Sequence, residues 1–198
     1  EGGAVLLVYV DGTQGWLTTA ESVTSSPSGK ELYVVATGGT ITCCGDYKTH
    51  IFTGPGTFCV ASLSTCSAND VIDYVVVAGG GAGGSTDASG GAGAGGFRMS
   101  NALALPAPTT SPLASPTGLP VGIAGYSVAV GSGGATTPAP SCGCAVSGGN
   151  SVFTGTSTIT SAGGAGGAQT LKVGQAGGSG SGGSGAPAFP GAGYPGGA

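Results

Sequence analysis

Several groups of residues in this sequence have the types that chemistry uses, and each can be tested against its spacing. The first is a glycine pattern behind an apolar run. Val75-Val76-Val77-Ala78 leads into Gly79, Gly81 and Gly84, which fit G-x-G-x-x-G. In a dinucleotide fold a helix opens at this point and its N-terminus holds the pyrophosphate. Here Ser85-Thr86-Asp87-Ala88-Ser89-Gly90-Gly91 follows, which does not favour a helix, and no strand with a ribose-binding acid comes about 20 residues later. With 45 Gly in 198 residues the pattern is expected by chance, and dinucleotide binding is set aside.

His50 is the one histidine of the chain and sits in an alternating segment, Tyr47 to Phe52. A general base needs a nucleophile and an orienting partner. Asp46 is near in sequence, but no serine elbow of the G-x-S-x-G type exists, so His50 reads as a strand residue on a polar face. Asp70 and Asp73 could act as paired acids or hold calcium; without a D-x-D-x-D-G loop they read as solvated carboxylates at a strand start. The six cysteines are Cys43, Cys44, Cys59, Cys66, Cys142 and Cys144. The adjacent pair and the C-x-C spacing do not suit zinc, whose cysteine pairs have two to four residues between them, and His50 has no second histidine to pair with. The even count suits disulfides in an oxidising place or inert thiols, with the pairing left open. Trp16 reads as part of a small core beside a hairpin. Tyr126, Phe189 and Tyr194, set among glycines where loops and function collect, are the candidate receptor contacts. No catalytic residue, metal site or cofactor is expected.

The elements that must position these residues are strands. No window of eleven or more residues keeps a 3.6-residue period free of several Gly, Pro, Thr or Val. Val5 to Val10 is an apolar run that ends at Asp11-Gly12, a hairpin dipeptide. Thr18 to Lys30 reads as a polar linker. Strands are then expected over Leu32 to Ala36, Thr40 to Thr42, Tyr47 to Phe52, Thr57 to Val60 and, most strongly, Val71 to Val77, with turns at Gly38-Gly39, Gly45-Asp46 and Gly54-Pro55-Gly56. Beyond Val77 strand-like islands (Tyr126 to Val130, Ser151 to Phe153, Ser157 to Thr160) alternate with glycine tracts.

Glycine loses more entropy on ordering than any other residue, so an ordered tract must gain dense backbone hydrogen bonds in return. Polyproline-II segments packed side by side can supply them, although the tracts GGGAGG and GGSGSGGSG break a strict collagen period. The interspersed Phe97, Ile123, Tyr126, Phe153, Phe189 and Tyr194 favour partial order over a flexible linker, with the two readings even for the last 20 residues. Charged residues make up only 6%, and the cations Lys30, Lys48, Arg98 and Lys172 are scattered, so no patch neutralises phosphates and nucleic-acid binding is not expected. No apolar run approaches a membrane span, so no membrane insertion is expected. The chain begins at Glu1 and not at Met, which points to a processed chain or a piece of a longer one.

Tyr33-Val34-Val35-Ala36-Thr37-Gly38-Gly39-Thr40, the run Gly45 to Phe58, Ile72-Asp73-Tyr74-Val75-Val76-Val77-Ala78-Gly79-Gly80-Gly81-Ala82-Gly83-Gly84, Gly93-Ala94-Gly95-Gly96-Phe97-Arg98 and Tyr126-Ser127-Val128-Ala129-Val130-Gly131 follow one another in the same order as in the glycine-rich domains of phage tail-fibre and virion-appendage proteins. Residues 31–198 resemble that family; Cys43-Cys44, Cys142-Gly-Cys144 and the shorter, Ala- and Ser-richer tracts depart from it. Bacterial surface proteins carry the domain as well. The resemblance implies a trimeric virion or extracellular-surface appendage that meets other virion proteins and a host-surface glycan or protein.

The expected architecture is all-β: residues 1–30 as an N-terminal hairpin or collar and linker, and 31–198 as an antiparallel, jelly-roll-like β-sandwich carrying polyproline-II-like glycine segments. A chain with so little bulky apolar mass is expected to be a homo-oligomer, its strands and glycine segments completed by neighbouring copies. The expected function is a non-enzymatic phage tail-fibre or virion-appendage protein; the alternative is a self-assembling extracellular filament or sheath subunit of a microbe. A glycan depolymerase is disfavoured, because such enzymes need clustered carboxylates and the eight acids here are dispersed.

Overall fold

β-branched and aromatic residues interrupted by glycine turns build short antiparallel strands throughout. The structure, a computed structural model, describes residues 5–9, 16–21, 33–45, 47–85, 88–100, 114–136, 144–169 and 172–184. β1 (Val5–Tyr9) pairs with β2 (Trp16–Glu21), so the segment read as linker from Thr18 onward begins inside a strand. The Asp11-Gly12 turn lies outside the described residues. β3 (Val35–Thr37), β4 (Thr40–Cys44), β5 (Tyr47–Ile51) and β6 (Gly56–Ser62) follow. A 3-10 turn, Ser67–Asn69, is the only helical element among the described residues. Then come β7 (Val71–Ile72), β8 (Val75–Val77), β9 (Phe97–Met99), β10 (Leu119–Pro120), β11 (Gly125–Ala129), β12 (Ser151–Thr154) and β13 (Thr158–Ser161).

The principal sheet has five strands in the order β13-β12-β11-β6-β3, all antiparallel. Its period of two sends Ala36, Phe58, Val60, Tyr126 and Phe153 inward, where they meet Leu119 and Val121 and, less buried, Ile72, Tyr74 and Val76. The layer over the inner face is therefore supplied by the short ribbons β7–β10 and β8–β9. Phe58, Tyr126 and Phe153 form an aromatic triangle with ring centroids 5.9–6.4 Å apart. Gly38 (φ +107°) and Gly39 (φ +63°) make the left-handed turn from β3 to β4, and a Cβ on Gly38 would lie 2.1 Å from the Thr57 carbonyl oxygen.

Val71 to Val77 was expected as one strand but is broken in two. At the break the Ser100 hydroxyl donates to Asp73 Oδ1 (2.6 Å) and accepts from the Tyr74 amide (3.0 Å). The Ser100 amide returns a bond to the Tyr74 carbonyl (3.0 Å). The clamp turns the chain from β7, paired with β10, to β8, paired with β9.

Candidate functional site: a closed glycine bundle and an exposed hairpin

The glycine tracts after Val77 form a bundle of six extended segments, residues 78–84, 90–96, 131–134, 145–149, 162–168 and 177–182, joined by backbone hydrogen bonds. The bonds recur every third residue. Ala78, Gly81 and Gly84 donate to the carbonyls of Gly96, Gly93 and Gly90; Gly90, Gly93 and Gly96 in turn donate to Ala168, Ala165 and Ala162. A β-ladder repeats every second residue, whereas a polyproline-II helix has three residues per turn and presents each face once per turn. This three-residue recurrence is the polyproline-II period.

Segment 162–168 is the axis. Its amides reach Gly79 and Ala82 on one side and Ser179 and Gly182 on another; its carbonyls accept from segments 90–96, 145–149 and 177–182. Ala165 and Ala168 are fully buried. A Cβ on Gly163 or Gly166 would sit 1.9 and 1.7 Å from carbonyl oxygens of segment 145–149, and one on Gly164 or Gly167 would sit 2.1 and 2.2 Å from those of 90–96. Two faces of this segment therefore admit no side chain, and the third takes alanine, which accounts for Gly-Gly-Ala-Gly-Gly-Ala. None of these glycines has a positive φ, so they are required for close approach alone. The axis takes all these partners from its own chain.

The dinucleotide-like set is occupied by the chain itself. A Cβ on Gly79, Gly81 or Gly84 would lie 2.0, 2.1 or 2.5 Å from Ser132, Ala165 or Ser89, respectively. These glycines cradle protein backbone and side chain, and the described residues after Gly84 form no helix. Tyr126, expected on the surface as a receptor contact, is 7% exposed. Its ring belongs to the core triangle, and its hydroxyl accepts from the Gly122 amide (2.7 Å) and donates to the Gly122 carbonyl (3.0 Å). Phe189, Tyr194 and Cys142 lie outside the described residues. His50 is half-buried, places its ring edge on Phe58 (centroids 5.0 Å) and donates from Nδ1 to the Gly38 carbonyl (2.8 Å), fastening the β4–β5 hairpin to the sheet. Asp70 accepts from both the amide and the hydroxyl of Ser64 (2.8 Å each), while Asp73 belongs to the Ser100 clamp; the two act as separate structural acceptors.

Cys43, Cys44, Cys59 and Cys66 are exposed free thiols, and Cys144 is a half-buried one. Among the described residues no group of three or more His, Cys, Asp or Glu could hold a metal ion. Two shallow depressions are open to solvent. One, about 410 Å³, runs along the Gly38-Gly39 turn and residues 51–57; the other, about 460 Å³, is lined by Tyr33, Cys43, Gly45, Tyr47 and Lys48 at the hairpin tip. A feature that the sequence reading missed is an apolar face on the β8–β9 ribbon. Val77 pairs with Phe97 and Val75 with Met99, and Val75, Val77 and Phe97 are all exposed. A continuous Val-Val-Val run carries no sign of which face looks outward.

Residues 53–198 match the family model described as a glycine-rich domain. No curated protein and no solved structure matches the chain.

Proposed function

The chain belongs to the glycine-rich domain family, and from that premise we propose that it is a non-enzymatic structural module of a virion appendage, a phage tail fibre, that works as a homotrimer and touches a host-surface glycan or protein. The observation that carries this reading is the bundle axis. An uncharged backbone, buried on every side and bonded to its neighbours at every turn, makes a stiff support with no side chains to spare for chemistry. Rigid scaffolds of this kind position loops that recognise partners. Association of copies has a support of its own. The exposed apolar residues Val75, Val77 and Phe97 on one ribbon face are the support for it, since such faces mark contact surfaces.

That same face favours a second reading, an extracellular filament subunit that polymerises without a partner. Sedimentation of the purified chain separates them. A discrete trimer that binds intact host cells is the expected result, with gold-labelled antibody decorating tails of the native particle. Open-ended polymers that ignore cells would replace the appendage reading with the filament. A stable monomer that binds nothing would remove both.

A further inference from the structure

We infer that the tip of the β4–β5 hairpin is a two-sided covalent coupling site, at which Cys43 and Cys44 form disulfides with two different copies of this chain. Every residue of β4 is exposed, and all of β5 except His50 is exposed too, so the ribbon stands in solvent on both faces. Cys43 is in register with Lys48 and Cys44 with Tyr47, so β4 is extended and laddered through both cysteines. Successive residues of an extended strand point to opposite faces. A disulfide needs its two Cβ atoms to converge to about 4 Å. Cys43 and Cys44 therefore cannot close on each other while the ladder holds, nor can they bind one metal ion together. Each can instead meet a thiol arriving at its own face.

The remaining described cysteines are less suited to this. Cys59 is exposed but lies in β6, an interior strand of the principal sheet, and opens to one face only; Cys66, also exposed, directly precedes the 3-10 turn Ser67–Asn69 with no second cysteine beside it to serve an opposite face. Cys144 is half-buried with its sulfur 3.9 Å from the Val173 carbonyl. Cys43 opens into the depression formed with Tyr33, Tyr47 and Lys48. The partner is a second copy because the tip is neutral to itself. Residues 40–51 carry one acid, Asp46, and one base, Lys48, within a chain of net charge −4, so two tips approach without the repulsion that the whole molecule feels. Ile41 and Ile51, each 46% exposed and on the ribbon itself, add apolar surface to such an encounter.

The oxidant is a small disulfide such as oxidised glutathione. A thiolate of one copy attacks it, forming a mixed disulfide and releasing one glutathione thiol; a thiolate of a second copy displaces the other glutathione. Two protein thiols and one oxidised glutathione become one interchain disulfide and two reduced glutathiones.

The test uses the full chain with Cys59, Cys66, Cys142 and Cys144 changed to Ser, incubated in an oxidised-glutathione buffer and run on a non-reducing gel. A ladder that extends past the dimer and collapses on reduction is expected, and adding Cys43→Ser or Cys44→Ser should stop it at the dimer. The reverse chain, Cys43→Ser/Cys44→Ser with the other four retained, should cross-link more slowly, because its exposed Cys59 and Cys66 lie outside the hairpin that stands in solvent on both faces. Glutathione-capped monomers, an internal 43–44 disulfide, a dimer closed by two bonds, or equal rates in the reverse chain would each overturn the inference. In the unsubstituted chain, cross-linked peptides joined through Cys43 or Cys44 are expected in the digest; peptides joined only through other cysteines would overturn it without any substitution.

Discussion

Adding one methyl group at Gly166 should damage the bundle, while the same change at Gly83 should help it. A Cβ on Gly166 would lie 1.7 Å from the Ala145 carbonyl oxygen, whereas nothing lies within 4 Å of one on Gly83. Ordinary contact begins near 3.4 Å, so Gly166→Ala must push segment 145–149 away by about half that distance. That segment is held by Ala145 to Gly167 (2.8 Å), Gly148 to Gly164 (2.9 Å) and Ala82 to Val146 (2.9 Å). Stretching two or three such buried bonds, at about 1 kcal/mol each with more when a buried group is left unpaired, costs about 3–5 kcal/mol. At about 2–4 °C per kcal/mol for a chain of this size, Tm should fall by about 6–20 °C. Gly83→Ala places its methyl in solvent at a residue whose φ is not positive, and it reduces the freedom of the unfolded chain, so it should gain about 0.4–1 kcal/mol. Calorimetry of the two variants beside the parent checks both signs. If both changes moved Tm by less than 2 °C, about the effect of half a kcal/mol to one kcal/mol, the tracts would be slack and the bundle would not be a structural unit.

Ser100→Ala removes the donor to the exposed Asp73 and the acceptor for the Tyr74 amide, at a half-buried residue; urea unfolding should show a loss of about 1–3 kcal/mol with an unchanged m-value. Native-state hydrogen exchange should find the amides of Gly164, Ala165, Gly167 and Ala168 among the slowest in the glycine-rich region, because each is bonded to a neighbouring segment within the buried axis; exchange there as fast as in a free peptide would contradict the packing.

How much of this was legible in the sequence follows from the kind of signal each element leaves. The strands β3 to β6 and β11 to β13 announce themselves by β-branched and aromatic residues between glycine turns, and the all-β class follows from the absence of any helical period. The break at Asp73-Tyr74 leaves no such sign, because its cause is Ser100, 27 residues away from Asp73. The surface role expected of Tyr126 failed for a related reason. A tyrosine in an alternating strand can face either way, and only the register with Phe58 on β6 turns it inward. For the bundle, a search for one long unbroken collagen period misses the point that each segment keeps its own short register. Gly163 to Ala168 holds two glycines in three because its two crowded faces meet different neighbours, and segment 78–84 tolerates Ala82 where its own neighbours leave room.

The placement of glycine therefore encodes which neighbour each residue touches, much as apolar residues encode which face of a strand is buried. In a conventional core a side chain fills space, and a cavity costs stability. Here the backbone itself fills space, and the penalty comes from any atom added to a crowded face. The rule makes the bundle sensitive to the smallest substitution at Gly163, Gly164, Gly166 and Gly167 and tolerant at Gly80, Gly83 and Gly91, where a Cβ meets nothing closer than 3.9 Å. A structure built this way can vary its outward residues widely without disturbing its axis.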